Sequence, residues 1–178
     1  MLRLTALLFF LSLPPSADAA AQDPRLASRL DSLTLPKVEA VLVTAQRRGL
    51  PIEPLVQKAL EGASKRAPGP RIVTAVEAML ADLTRAQQGL GRSATADELV
   101  AGAAALRAGA TLEMVDQLRR AEPDAGVAVP LAVFADLVAG GMAVGAAWRS
   151  VEDLAQRGGD DEEFLELRER LRPAGQSP

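Results

Sequence analysis

The chain has 178 residues, a formal net charge of −3 and neither cysteine nor histidine, so zinc and copper centres built on imidazole or thiolate are excluded, as are hydrolases that rely on a catalytic histidine. Tyrosine is also missing, and Trp148, Phe134 and Phe164 are the only aromatics beyond residue 21. That is a poor platform for stacking sugars or single-stranded nucleic acid, and the negative charge disfavours wholesale attraction to nucleic acid or anionic lipid.

At the N-terminus, Arg3 precedes an apolar run, LTALLFFLSL, that ends at Pro14 and Pro15. The run is about ten residues long, against about twenty for a membrane-crossing helix, and it reads as the core of a cleavable secretory leader over residues 1–21. Small residues offer cleavage before Ala20 or, slightly preferred, before Gln22. A single arginine argues against twin-arginine export, and the lack of cysteine excludes a lipid-modified N-terminus. The expected product has about 157 residues, the size of one domain, free in the periplasm or secreted, without a lipid anchor or stable membrane insertion. With no disulfides to brace it, an ordinary hydrophobic core must suffice.

Residues 22–35 are polar with scattered leucines (Leu26, Leu30, Leu33, Leu35) and read as a tether or short helix leading into a single helical domain over 36–172. Val38, Val41, Leu42 and Ala45 then recur at helical spacing, giving a first helix from about Pro36 that stops at Gly49. Val56, Ala59, Leu60 and Ala63 predict a second. Ile72, Val76, Met79, Leu80 and Leu83 predict a third, from Gly69-Pro70 to Gly89-Leu90-Gly91. Thr95 and Glu98 have the spacing of a capping box and open a fourth helix through Leu99, Ala103 and Leu106 to Gly109. A short fifth runs past Val115 and Leu118 and is broken at residues 122–126. Pro130 restarts the chain into a sixth, with Leu131, Phe134 and Val138. Val144, Ala147, Trp148 and Val151 line a seventh, and Asp160 and Glu163 cap an eighth whose apolar face is Phe164, Leu167 and Leu171. Ala125 to Val129 is the nearest approach to a strand and is too short to carry a sheet. Residues 173–178 are expected to be a disordered tail. The fold expected is all-α, an irregular compact bundle of about seven to eight short helices arranged as stacked hairpins.

Segments around Gly49, Gly109, Gly141 and, more faintly, Gly158 align on their glycines. Each reads as a tight corner in which a left-handed glycine ends one helix, an apolar residue follows, and the next helix begins. The spacing is irregular, which excludes a fixed-period solenoid. Alanines at 101–105 and 146–147 should let helices approach closely. Charge is uneven: residues 21–71 hold nine basic and five acidic side chains, and residues 72–178 hold ten and seventeen.

None of these features assembles a cofactor, metal or catalytic site. The Asp160–Glu163 acids lack the alternating spacing of a calcium loop and suit a helix N-terminus. Glycine corners here match no phosphate-binding fingerprint. Arg47 and Arg48, with Lys58, Lys65 and Arg66, could form a basic face for an acidic partner, although arginines in a last helical turn also simply complement the helix dipole. Trp148 stands in apolar register and reads as core more than as an exposed anchor. Glu53, Glu98 and Glu113 are the acids through which a carboxylate-dependent enzyme acting on an envelope polymer would have to work.

The motif GLPIEPLVQKALEG over 49–62, followed by ELVAGAAALRAGATLEMVDQLRRA and VPLAVFADLVAGG, resembles a group of uncharacterised exported bacterial proteins over about residues 38–171. The resemblance implies a recurring helix-corner design and brings no activity, cofactor or site residue. The reading that follows is a non-enzymatic interaction module of the bacterial envelope, whose partner is another envelope protein or a second copy, with Arg47, Arg48, Lys58 and Trp148 as candidate contact residues. The carboxylate enzyme is the alternative.

Overall fold

The computed structural model describes residues 23–121 and 126–172. Among them every regular element is helical: α1 (Pro24–Ala27), α2 (Leu35–Arg47), α3 (Glu53–Ser64), α4 (Gly69–Leu90), α5 (Ala96–Arg107), α6 (Leu112–Ala121), α7 (Ala128–Ala139), α8 (Val144–Ala155) and α9 (Asp161–Leu171). The expected leader over 1–21, the expected tail over 173–178 and residues 122–125 of the expected break at 122–126 lie outside the described residues. No described helix is long and apolar enough to cross a membrane.

The all-α bundle expected from periodicity is the fold found. Consecutive pairs α3–α4, α4–α5 and α7–α8 are packed hairpins. The packing continues from α5 onto α7 and from α7 onto α9, while α6 bridges α4 and α8. The 22-residue α4 is the spine, touching α2, α3, α5 and α6. Phe134 and Phe164 are the largest fully buried side chains, accompanied by leucines and valines from almost every helix.

Of the tether or short helix expected before the domain, the structure forms a short helix: α1 is capped by Asp23 and sinks Leu26 completely into the core. One start differs from expectation. The sixth predicted helix starts at Ala128, ahead of Pro130, so residues 128–129 form its first turn. Proline is tolerated there because first-turn amides have no intrahelical acceptor to lose.

The corners have one construction. At Gly49 the amide of Leu50 bonds to Ala45 O at 3.0 Å and that of Gly49 to Gln46 O at 3.0 Å, the paired bonds of a Schellman cap. The same pair recurs at Gly109, Gly141 and Gly158, and all four glycines have positive φ. A fifth copy went unread in the sequence because its left-handed residue is Arg66, φ 53°, with Ala67 N bonded to Gly62 O at 3.0 Å. In each copy the residue after the corner lies against the last turn it caps, and a new helix starts within four residues.

Close packing by small residues is clearest around α5, where Ala101, Gly102, Ala103 and Ala105 are all buried. A Cβ on Gly102 would lie 2.9 Å from Leu90 Cδ1 and 3.3 Å from Ala86 Cβ, so α4 and α5 approach as near as they do only because the side chain is absent. This helix is buried around most of its circumference because it is clasped between α4 and α7.

Candidate interaction sites

Glu98 is the one acid buried among the described residues, 3 % exposed. Its backbone amide donates to Thr95 Oγ1, and its Oε2 accepts from Thr95 N at 2.8 Å, which completes the capping box at the start of α5. Its Oε1 accepts from Arg119 Nη1 on α6 at 2.6 Å and from the amide of Val127, the N-cap residue of α7, at 3.2 Å. Burial alone would raise its pKa. The amides of Thr95 and Val127 and the Arg119 charge outweigh that and hold the carboxyl below its ordinary value. One carboxylate therefore ties three helix ends together, with both its oxygens engaged in structure.

Glu53 is similarly engaged. Arg25 Nη1 and Nη2 donate to its two oxygens at 3.0 and 2.7 Å while also gripping Asp23, and Gln57 adds a bond at 2.7 Å. The Arg25 and Gln57 bonds hold Glu53 below its ordinary pKa. This fork fastens α1 to α3. Glu113 is an exposed first-turn acid of α6, and Glu53 stands on a helix whose packing partners are α1, α2 and α4. Two of the three acids that an enzyme would need are fixed in unrelated clasps. The Asp160–Glu163 run forms a reciprocal capping box, with Glu163 N bonded to Asp160 Oδ1 at 2.9 Å and Asp160 N to Glu163 Oε2 at 3.0 Å.

The sequence-selected cations separate. Arg47 and Arg48 meet at the Gly49 corner, where with Gln87 and Arg92 they line an open notch of about 280 Å³. The corner is pinned to α4 by Arg48 Nη1 donating to Thr84 Oγ1 at 3.4 Å and by Gln87 Nε2 donating to the Arg48 carbonyl at 3.5 Å. Arg92, just past the end of α4, comes from forty-odd residues away, and no local sequence signal points to it. None of the three guanidinium groups is ion-paired with a described carboxylate, unlike Arg25, Arg107, Arg119, Arg120, Arg168 and Arg172. Lys58 does not join them: it bonds to Glu61 on its own helix at 2.8 Å, beside Lys65. That pairing draws Glu61 down to about 2. Lys58 therefore differs from the arginines in carrying an ion pair within its own helix.

Compared with known proteins, the chain matches no family model, no curated protein and no solved structure. The resemblance drawn from the GLPIEPLVQKALEG motif thus stands on the sequence alone, and what the chain does must be argued from its surface.

Trp148 is core first, as its register predicts. It is 8 % exposed and meets Phe134 edge-on, ring centroids 6.0 Å apart and planes at 79°, the geometry that aromatic quadrupoles favour. Its remaining edge lines a cleft of about 290 Å³ between α6 and α8, with Leu118, Ala121 and Ala155 beside Gln117, Arg120 and Glu152.

Proposed function

We propose that the protein is an exported, non-enzymatic interaction module of the bacterial envelope that grips an acidic segment of a partner protein. The observation that carries this reading is the Gly49 notch. Three arginines from two separate parts of the chain line one notch without an ion pair to any described carboxylate, on a backbone fixed by a Schellman cap and by bonds to α4. Guanidinium groups recognise carboxylates through paired donors in a fixed fork, and a rigid mount lowers the entropy cost of presenting them. The leader-like N-terminus supports the envelope as the address. The commitment of Glu98 and Glu53 to helix clasps weighs against the carboxylate enzyme.

The test pairs the wild type with a variant carrying Arg47→Glu, Arg48→Glu and Arg92→Glu. Each is used to capture partners from envelope extracts and is then titrated with the acidic segment of whatever is recovered. A partner held by the wild type at low salt and lost both by the variant and at high salt bears out the proposal. Failure to recover a specific partner, or equal recovery by both proteins, overturns it.

A further inference from the structure

The opposite end of α2 carries a second, differently built surface. Leu33 is 77 % exposed, the most exposed of the large apolar side chains described. It is held out rigidly: Asp31 Oδ1 accepts from the amides of Leu33 and Thr34, each at 2.9 Å, and Asp31 Oδ2 accepts from Thr34 Oγ1 at 2.7 Å. Thr34, 4 % exposed, anchors this turn in the fold. The start of α4 is seated on it so closely that a Cβ on Gly69 would collide with the Thr34 hydroxyl and come within 3.4 Å of Asp31 Oδ2. The turn that presents Leu33 is thus clamped from both sides.

That seating brings cations to the turn from two directions. Arg29 and Lys37 flank it in sequence, and Lys65, Arg66 and Arg71 arrive with the α3–α4 corner that ends on Gly69. All five are exposed. Lys65 bonds to Glu61, while Arg29, Lys37, Arg66 and Arg71 form no ion pair with any described residue. The acids in the neighbourhood are Asp31, which the turn's hydrogen bonds keep ionised, Glu39 one turn into α2, and Glu61, already held by Lys58 and Lys65, so the five cations leave a local excess of positive charge.

We propose that the Leu33 turn and its collar of cations dock the protein reversibly on an anionic lipid surface, with Leu33 entering the acyl boundary and the cations lying among the headgroups. A single protruding apolar side chain on a turn neighboured by long flexible cations suits a deformable, negatively charged plane. A protein hot spot would instead be expected within a packed apolar patch. The attraction is local, so the overall charge of −3 does not oppose it: headgroup attraction falls off within about a Debye length, near 8–10 Å. The absence of a crossing helix among the described residues agrees with a peripheral contact. This surface shares no residue with the Gly49 notch, so the two proposals stand or fall separately.

The experiment is co-sedimentation of the chain from residue 22, which carries every described element, with vesicles of phosphatidylcholine alone or with about one-third phosphatidylglycerol, at low and high salt. Binding to the anionic vesicles only, weakened by salt, is expected. Leu33→Asp should reduce it about ten-fold or more, from the apolar burial lost, and each of Lys37→Gln and Arg71→Gln about five-fold. Leu33 is solvent-facing, so its variant should keep the wild-type circular dichroism spectrum. If that spectrum changes, Leu33→Ser serves in its place. No binding to anionic vesicles, equal binding to neutral ones, or a Leu33 variant that binds as well as the wild type overturns the proposal.

Discussion

Truncating Glu98 to alanine probes the connection between sequence and architecture most directly, because three helix ends lose a shared acceptor at once. The reciprocal capping bond to Thr95 goes, at about 1 kcal/mol. The amide of Val127, a residue with no exposed surface, is left buried without its acceptor, at about 1–3 kcal/mol. Arg119 loses its partner, but its side chain is 27 % exposed and can turn to water, so its share is small. The total is about 2–4 kcal/mol, a large part of the ~5–15 kcal/mol that holds a domain folded. At about 2–4 °C per kcal/mol for a chain of this size, the melting temperature should fall by about 10 °C in thermal circular dichroism. Glu98→Gln can keep its one oxygen for Val127 but loses the charge and turns an NH2 donor toward the Thr95 amide, so it should fall by less than Glu98→Ala without matching the wild type. The acid limb carries a second signature. Because the folded-state pKa of Glu98 is depressed, its contribution is complete above the ordinary glutamate value and is lost as pH drops through the folded value, so the gap between wild type and Glu98→Ala should narrow in acid. A melting temperature for Glu98→Ala within about 2 °C of wild type would refute the reasoning.

Other expectations are independent of that one. Gly109, φ 109°, would place a Cβ 3.0 Å from Val144 Cγ2, so Gly109→Ala should cost about 1–2 kcal/mol in urea titration; Arg66→Gly, at the equivalent corner, should cost nothing or stabilise by a few tenths of a kcal/mol. Gly102→Leu should lower stability by about 3 kcal/mol or more, since α4 and α5 must separate to admit it, and an unchanged urea midpoint would contradict the close approach. Arg25→Met should leave the global unfolding midpoint almost unmoved while hydrogen exchange accelerates at the amides of α1, whose attachment to α3 it releases. Trp148, the sole tryptophan, should emit at the short wavelengths of a buried indole and shift to the red together with the loss of helical signal, and separate transitions would show that α7 and α8 unfold apart from the rest.

Much of the helical layout was legible because it is written in local chemistry. Apolar residues at 3.6-residue spacing marked eight helices, and Thr95 with Glu98 and Asp160 with Glu163 marked two capping boxes that the structure forms in full. Glycines marked four of the five Schellman corners, since glycine takes the left-handed conformation without strain; the fifth was hidden by Arg66, whose identity gives no such signal. The short α1 was legible only as a tether or short helix because one turn has too few residues to display a period, and what holds it is distant: Leu26 in the core and Arg25 on Glu53.

The sites were less legible than the fold. Arg47 and Arg48 stood out as neighbours at a helix end, yet Arg92 joins them only because α4 runs back past the Gly49 corner. Lys58 looked equivalent to those arginines until Glu61, one turn along the same helix, was seen to hold it. Glu98 looked like any capping glutamate, and folding alone brought Arg119 and the Val127 amide to its second oxygen. Helix boundaries, caps and corners depend on interactions within a few residues, so the sequence by itself determined them. Which charges are cancelled and which stay free depends on contacts between segments far apart in the chain, and only the tertiary structure decided those.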